Sequence, residues 1–111
     1  MKKLLVALLM VPAMAHAEFM TGNQLHSKLT GTAVSERIQA LGYIQGVFDA
    51  GQHFRHCAPD NIGITAGQVR DIVLKYLNER PALRNFTADL LIIDSLKQIW
   101  PCPTQNKGRG A

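Results

Sequence analysis

Three side chains that can bind metal ions lie close together in the middle of the sequence. Spacings of three and four residues from His53 to His56 and Cys57 place all three on one side of a helix end, where they could bind zinc. A zinc ligand requires a free Cys57 thiolate, however, and Cys102 competes for that sulfur. The two histidines are also explained as surface residues near a helix C-terminus, where positive charge is favourable. We therefore predict no metal site.

Asp49 and His53 stand four residues apart and could form an acid–base pair on one helix face. Catalysis of acyl transfer would also need a nucleophile beside the base. The serines at 27, 35 and 95 show no strained turn and no neighbouring base in the sequence, and both cysteines are expected to be oxidised. A structural role for Asp49 is the better interpretation. The sequence thus predicts a protein that is not an enzyme and needs no cofactor.

Two cysteines, Cys57 and Cys102, are present in the chain. In a small exported protein an even number of cysteines indicates a disulfide, and two cysteines allow a single pairing. The chain-entropy model gives a bridge that closes about 45 residues a stabilisation of roughly 4 kcal/mol at most. We expect this bridge to connect the ends of two helices and to hold the C-terminus in place.

The N-terminus has the pattern of a secretory signal peptide. Lys2 and Lys3 precede an apolar run at 4–11, which is too short to span a bilayer, and an Ala-His-Ala sequence ends at Ala17. Cleavage after Ala17 would leave a mature chain that begins at Glu18. The sequence therefore predicts an exported, periplasmic protein that is not stably inserted in a membrane after cleavage.

The positive charge of the chain says little about its partners. The net charge of +4 includes two signal-peptide lysines, and the remaining basic residues are scattered rather than clustered or interleaved with aromatic side chains. The sequence therefore gives no indication of a nucleic-acid groove, and export argues against one.

Apolar residues at helical spacing predict four helices and no confident strand. The second helix is expected to bury Val34, Ile38, Leu41, Phe48 and Phe54, with Ile44 and Val47 widening the apolar stripe. The fourth is apolar over more than half of its circumference, which predicts a central position or contact with a partner subunit. The first helix is expected at about 21–29, the second at about 33–56 and the fourth at about 87–99. The third is expected to be capped by Thr65 and Gln68 and to stop before Pro81.

Gly42, Gly46 and Gly51 fall inside the predicted second helix. Because glycine costs a helix interior about 1 kcal/mol relative to alanine, a compensating benefit is expected. Close approach of another helix would supply it, either within the same chain or at the seam of a homodimer. The sequence does not distinguish packing within the chain from packing between two copies of it.

The segment 58–64 is a short loop that is polar except for two isoleucines. Ile64 is expected to pack onto the third helix ahead of the Thr65 cap. Asp60, Asn61 and Ile62 are the candidate partner-binding residues, with Ile62 as a tip that inserts into a partner. The alternative is that both isoleucines only pack down onto the domain.

Six segments, in order and at compatible spacing, span nearly all of the expected mature chain. They are TGNQL at 21–25, GYIQGVFDA at 42–50, CAP at 57–59, ITAGQ at 64–68, YL at 76–77 followed by Pro81, and WPC at 100–102. Together they resemble the Rap/Tai immunity proteins of type VI secretion. Many members carry a second cysteine pair, whose positions fall near Leu29 and Ala40 here, so this chain would represent a divergent branch.

The resemblance implies an all-α fold, a small bundle of about four helices with one disulfide. It further implies a periplasmic immunity protein that binds a peptidoglycan amidase effector and blocks its active-site cleft, in some members as a homodimer. The expected organisation is a signal peptide at 1–17, a helical domain at 18–103 and a disordered tail at 104–111. The alternative function is that of a periplasmic stress protein or chaperone on a similar scaffold.

Overall fold

A computed structural model of the chain describes residues 19–104. They form four α-helices, α1 (Gly22–Thr30), α2 (Val34–Gly51), α3 (Ala66–Glu79) and α4 (Ala88–Ile99), with a 3-10 turn at Pro81–Leu83. Between residues 19 and 104 the β-structure is limited to two isolated bridges. The predicted all-α bundle with one disulfide is confirmed. The predicted signal peptide, its cleavage site at Ala17 and Glu18, and the tail beyond Thr104 lie outside the described residues.

Two helices begin with the same reciprocal cap. The Thr65 hydroxyl accepts a hydrogen bond from the Gln68 backbone N–H at 3.1 Å, and the Gln68 side chain accepts one from the Thr65 N–H at 2.8 Å. Thr21 and Gln24 form an identical capping box at the start of α1. Each box satisfies two backbone N–H groups that a helix start leaves without partners, which fixes where the helix begins. The predicted start of α3 is confirmed.

A single apolar core holds the four helices together, and each helix contacts the other three. Helices α3 and α4 contribute four residues each to it, and Leu90 and Ile99 on the outer side of α4 are exposed. Leu29 and Ala40 are both buried and pack as apolar core residues. The core consists of Leu25, Leu29, Ala40, Ile44, Val69, Val73, Tyr76, Leu77, Ala88, Leu91, Ile92 and Leu96.

Helix α2 differs from the prediction in its length and in the side that it buries. It ends at Gly51 rather than at His56, and its buried residues are Ala40, Ile44 and Gly51. Residues 32–39 are all exposed, because the first two turns of the helix extend beyond the core. The predicted burial of Val34, Ile38 and Phe54 is therefore wrong, and Phe54 is 84% exposed in the loop that follows the helix.

The three glycines of α2 have different surroundings. A Cβ on Gly51 would lie 2.9 Å from the Ile93 Cδ1 atom, so close packing against α4 explains this glycine. A Cβ on Gly42 or Gly46 would meet nothing within 4 Å. The expected close approach within the chain thus holds for one glycine, and the other two lie on an open helix face.

No helix among the described residues is both long and apolar enough to cross a membrane.

Candidate partner-binding loop

The segment between the end of α2 and the Thr65 cap of α3 contains all three candidate partner-binding residues. We refer to residues 52–64 as the 52–64 loop. Its base is covalently attached to the C-terminal end of the domain, because Cys57 and Cys102 form a disulfide with their Cα atoms 4.9 Å apart. The Cys57 N–H also donates to the Trp100 carbonyl at 2.9 Å. The predicted disulfide between these two chain segments is confirmed.

His56 fills the space beneath this loop and is completely buried. Its Nε2 atom lies 2.8 Å from the Phe48 carbonyl oxygen, and its Nδ1 atom accepts a hydrogen bond from the Ala58 N–H at 3.3 Å. Because a carbonyl can only accept and a backbone N–H can only donate, these partners assign the proton to Nε2. The ring also packs on Phe48 with the centroids 4.6 Å apart. The surface position expected for His56 is therefore wrong.

The geometry also separates the residues considered for zinc. His56 points into the core, Cys57 is bonded to Cys102, and the His53 ring lies on the surface beside Asp60. In the described part of the chain, no three His, Cys, Asp or Glu side chains are grouped so that they could bind a metal ion. Helix α2 stops before these residues, so the one-sided helical spacing that would have grouped them does not occur.

Asp60 is held by two side chains from the start of the loop. The Gln52 Nε2 atom donates to Asp60 Oδ1 at 2.8 Å and to the Ala58 carbonyl at 3.2 Å. The His53 Nε2 atom lies 3.3 Å from Asp60 Oδ2. His53 thus has Asp60 as its carboxylate partner, rather than Asp49 as the i, i+4 spacing suggested. Both carboxylate oxygens of Asp60 are fixed while the side chain stays largely exposed.

The outermost part of the loop is formed by the remaining candidate residues. Asn61 is exposed, and the Ile62 side chain is 57% exposed to solvent. Gly63 has a φ of +66°, a conformation that residues with a side chain rarely adopt, and it turns the chain back toward α3. Ile64 is half-buried and packs against the core beside Val69, as expected for the residue that precedes the cap. Ile62 therefore projects, whereas Ile64 packs down.

An open groove of about 350 Å³ runs beside the tip of the loop. Its walls are mainly apolar, and the loop contributes two of its side chains. The groove is lined by Ile62, Ile64, Gln68, Asp71, Ile72 and Trp100. The tip and the groove together form a continuous surface with an apolar centre and charged or amide groups at its edge, which is the composition typical of protein-binding sites.

The serines considered as nucleophiles occupy separate structural positions. The Ser95 hydroxyl is buried and donates to the Ile92 carbonyl of its own helix at 2.6 Å. Ser27 and Ser35 are exposed on α1 and on the first turn of α2. None of the three is hydrogen-bonded to a histidine among the described contacts.

Sequence reasoning missed two of the residues that shape the loop. Gln52 and His53 were placed inside a continuous helix, where neither could reach Asp60. Helix α2 ends at Gly51, and two residues later the chain takes a left-handed backbone at His53, with a φ of +72°. A histidine at such a position has no distinctive sequence pattern, although this residue type is enriched there relative to most others.

The described residues form a small helical scaffold that presents one cross-linked, hydrogen-bonded loop. The model of the Rap1a immunity protein family matches residues 21–102, from the cap of α1 to the second cysteine of the disulfide. The chain therefore belongs to the Rap1a immunity protein family. A search of curated proteins finds no match. Immunity proteins bind cognate effector toxins and are generally not enzymes, so the family gives this chain an immunity role and an effector partner.

Proposed function

We propose that the protein binds a type VI peptidoglycan amidase effector in the periplasm and occludes its active site with the 52–64 loop. The observation that carries this proposal is the loop itself, which projects Ile62 into solvent from a base held by the disulfide, the buried His56 and the hydrogen bonds to Asp60. The choice of a peptidoglycan amidase as the target goes beyond what family membership shows, and it rests on the resemblance to the Rap/Tai proteins.

Occlusion by a loop requires that the loop keep its shape before it binds. Ordering a flexible side chain at an interface costs about 0.5–1.5 kcal/mol, so a segment already fixed by internal contacts binds more tightly for the same contact area. The 52–64 loop has such contacts ahead of its tip, at Cys57 and at Asp60, and after the tip Ile64 packs against the core. An apolar side chain at the tip can then enter a cleft and exclude the cell-wall substrate from it.

The test is an inhibition assay with the mature chain and purified type VI Cys–His amidase effectors. Release of cleaved peptide from purified peptidoglycan is measured as the chain is added. We expect activity to disappear near one chain per amidase. Ile62→Asp should weaken inhibition at least tenfold, whereas Phe86→Asp, a matched change at an exposed apolar residue outside the loop, should leave it unchanged. Full activity in excess wild-type chain would overturn the proposal.

Export supplies the compartment in which this inhibition has to occur, because the wall lies outside the cytoplasm. We propose that the signal peptide is cleaved after Ala17 and that the mature chain is periplasmic. Cell fractionation followed by N-terminal sequencing tests this, with Glu18 as the expected first residue. A cytoplasmic chain that retains residues 1–17 would contradict it.

The resemblance also predicts a homodimer, and we propose the first two turns of α2 as its surface. Val34 and Ile38 lie one turn apart on that helix and are more than half exposed. A two-fold axis would let each copy cover the apolar side chains of the other. Sedimentation of the mature chain should show a dimer that Ile38→Glu converts to a monomer. A wild-type chain that stays monomeric at high concentration would contradict this.

A further inference from the structure

Strain at the base of the 52–64 loop indicates that its shape serves a purpose beyond connecting two helices. His53 is the single residue other than glycine with a positive φ among residues 19–104, at +72°. An L-residue with a side chain disfavours this conformation, so it persists where surrounding contacts impose it. The contacts here are the hydrogen bond from the His53 N–H to the His56 carbonyl at 2.9 Å and the approach of the His53 ring to Asp60.

Gln52 is the second residue that shapes this part of the loop. Its amide nitrogen has two hydrogens, and they are directed at two acceptors in the loop, the Asp60 carboxylate and the Ala58 carbonyl. The residue follows directly after the end of α2, so its backbone position is set by a helix. Gln52 therefore fixes the distance between the helix end and the tip-side carboxylate.

The result is a carboxylate that is oriented by the loop and still open to a partner. Each Asp60 oxygen is held by one side chain, although a carboxylate offers about four acceptor positions. The Asp60 side chain keeps 66% of its surface exposed. Any donor to this carboxylate forms a charge-assisted hydrogen bond, and a cationic donor adds Coulomb attraction between opposite charges, so a cation is the group best recognised here.

We propose that Asp60 binds a cationic side chain at the effector's active-site cleft, and that Gln52 and His53 are positioning residues for this contact. The inference rests on the proposed function and specifies its chemistry. The partner has to offer a lysine, an arginine or a protonated histidine close to an apolar hollow that accepts Ile62. A partner surface with an acidic group at that place would be rejected by the same carboxylate.

The experiment measures the dissociation constant of the mature chain for a type VI Cys–His amidase effector that it inhibits, by surface plasmon resonance. Asp60→Ala should weaken binding by about tenfold or more, as expected for loss of a hydrogen bond to a charged group. Gln52→Ala should weaken it by about two- to tenfold. Gln39→Ala is the control, because this exposed glutamine of α2 also loses a side-chain hydrogen bond, the one that it accepts from Lys28, and lies outside the 52–64 loop.

Two readouts separate positioning from a merely structural role. If Gln52 acts through Asp60, the Gln52→Ala and Asp60→Ala double variant should bind about as weakly as Asp60→Ala alone; effects that multiply would overturn the positioning role. Asp60→Asn should also reduce the dependence of binding on salt concentration, since it removes one charge of the proposed ion pair. An unchanged salt dependence would mean that the partner group is not a cation.

The outcomes also separate this inference from the proposed function. Failure of the wild-type chain to bind the amidase would refute the proposed function. Binding that Asp60→Ala and Asp60→Asn leave unchanged would refute the inference while the proposed function stands. Hydrogen exchange on the free Gln52→Ala variant should show faster exchange confined to the 52–64 loop, with core amides unchanged, which verifies that the variant is folded.

Discussion

Replacement of Gly42 and Gly46 by alanine should make the protein more stable. Both glycines lie in the interior of α2, and a Cβ at either position would meet no atom within 4 Å. The alanine methyl groups would therefore cause no clash, while the helix would gain the propensity difference of about 1 kcal/mol at each site. The two positions are i, i+4 neighbours whose Cβ atoms would lie about 5–6 Å apart, so no clash is expected between them and the pair should add up to about 2 kcal/mol to the free energy of unfolding.

The assay is urea unfolding followed by circular dichroism, together with thermal unfolding. For a domain of this size, about 2 kcal/mol corresponds to an increase in Tm of roughly 8–16 °C. Gly22→Ala is the control of opposite sign. Its Cβ would lie 2.9 Å from the Arg84 carbonyl oxygen and collide with Leu91, which should cost about 1–3 kcal/mol.

Two results would refute this reasoning. A loss of stability in the monomeric double variant would mean that another part of the chain approaches the glycine face. A double variant that stabilises the monomer but abolishes self-association would assign the dimer seam to the glycines instead of to Val34 and Ile38. Measurement at several protein concentrations distinguishes these results, because only the second depends on association.

Three further changes test the fold beneath the loop. Cys102→Ser should lower the free energy of unfolding by up to about 4 kcal/mol in urea titrations, since the disulfide closes a long loop. An unchanged free energy of unfolding would contradict a stabilising role for the disulfide. His56→Ala should cost about 2–5 kcal/mol in the same assay, because it leaves two buried backbone groups without partners; a change below 1 kcal/mol would contradict that role. Burial raises the pKa of Tyr76 above its ordinary value of 10.0, and Asp94 raises it further. The stability tied to the neutral phenol is complete below that ordinary value and is lost as pH rises from it through the raised pKa of the folded state. Tyr76→Phe should therefore reduce the loss of stability in urea titrations carried out from about pH 9 upward.

The starts of α1, α3 and α4 were predictable from the sequence because their signals are local. Thr65 and Gln68 form a cap across three residues, and the apolar spacing that follows them agrees with the side that is buried. Pro81 and Pro101 supply equally local stops. The ends of such helices are determined by residues that are close in the sequence, so tertiary contacts shift them little.

Helix α2 was harder to predict because its large apolar residues are not the ones that it buries. Ala40 and Gly51 carry much of its contact with the core, whereas Val34 and Ile38 are exposed. The periodicity of apolar residues gives most weight to large side chains, and it therefore predicts the wrong side of α2 to be buried. The burial of small residues depends on how closely a second helix approaches, as Ile93 approaches Gly51, and that distance is a property of the fold.

The candidate loop was predictable in position but not in its internal bonding. Polar residues and a glycine between two helices indicate a loop, and Asp60, Asn61 and Ile62 are all exposed there. The burial of His56 and the link from Gln52 to Asp60 require the chain to leave the helix at Gly51. That early end follows from long-range contacts at Cys102 and Trp100, which local patterns do not reveal.

Photo-crosslinking from position 62 tests the central claim most directly. The mature chain carries a photoreactive phenylalanine analogue in place of Ile62 and is irradiated with the amidase, after which the joined peptides are identified by mass spectrometry. The account predicts crosslinks to the amidase peptides that surround its catalytic cysteine, and none from the same analogue at Phe86. Crosslinks from position 62 to a surface remote from the catalytic cysteine, or crosslinks from Phe86 alone, would contradict active-site occlusion by the 52–64 loop.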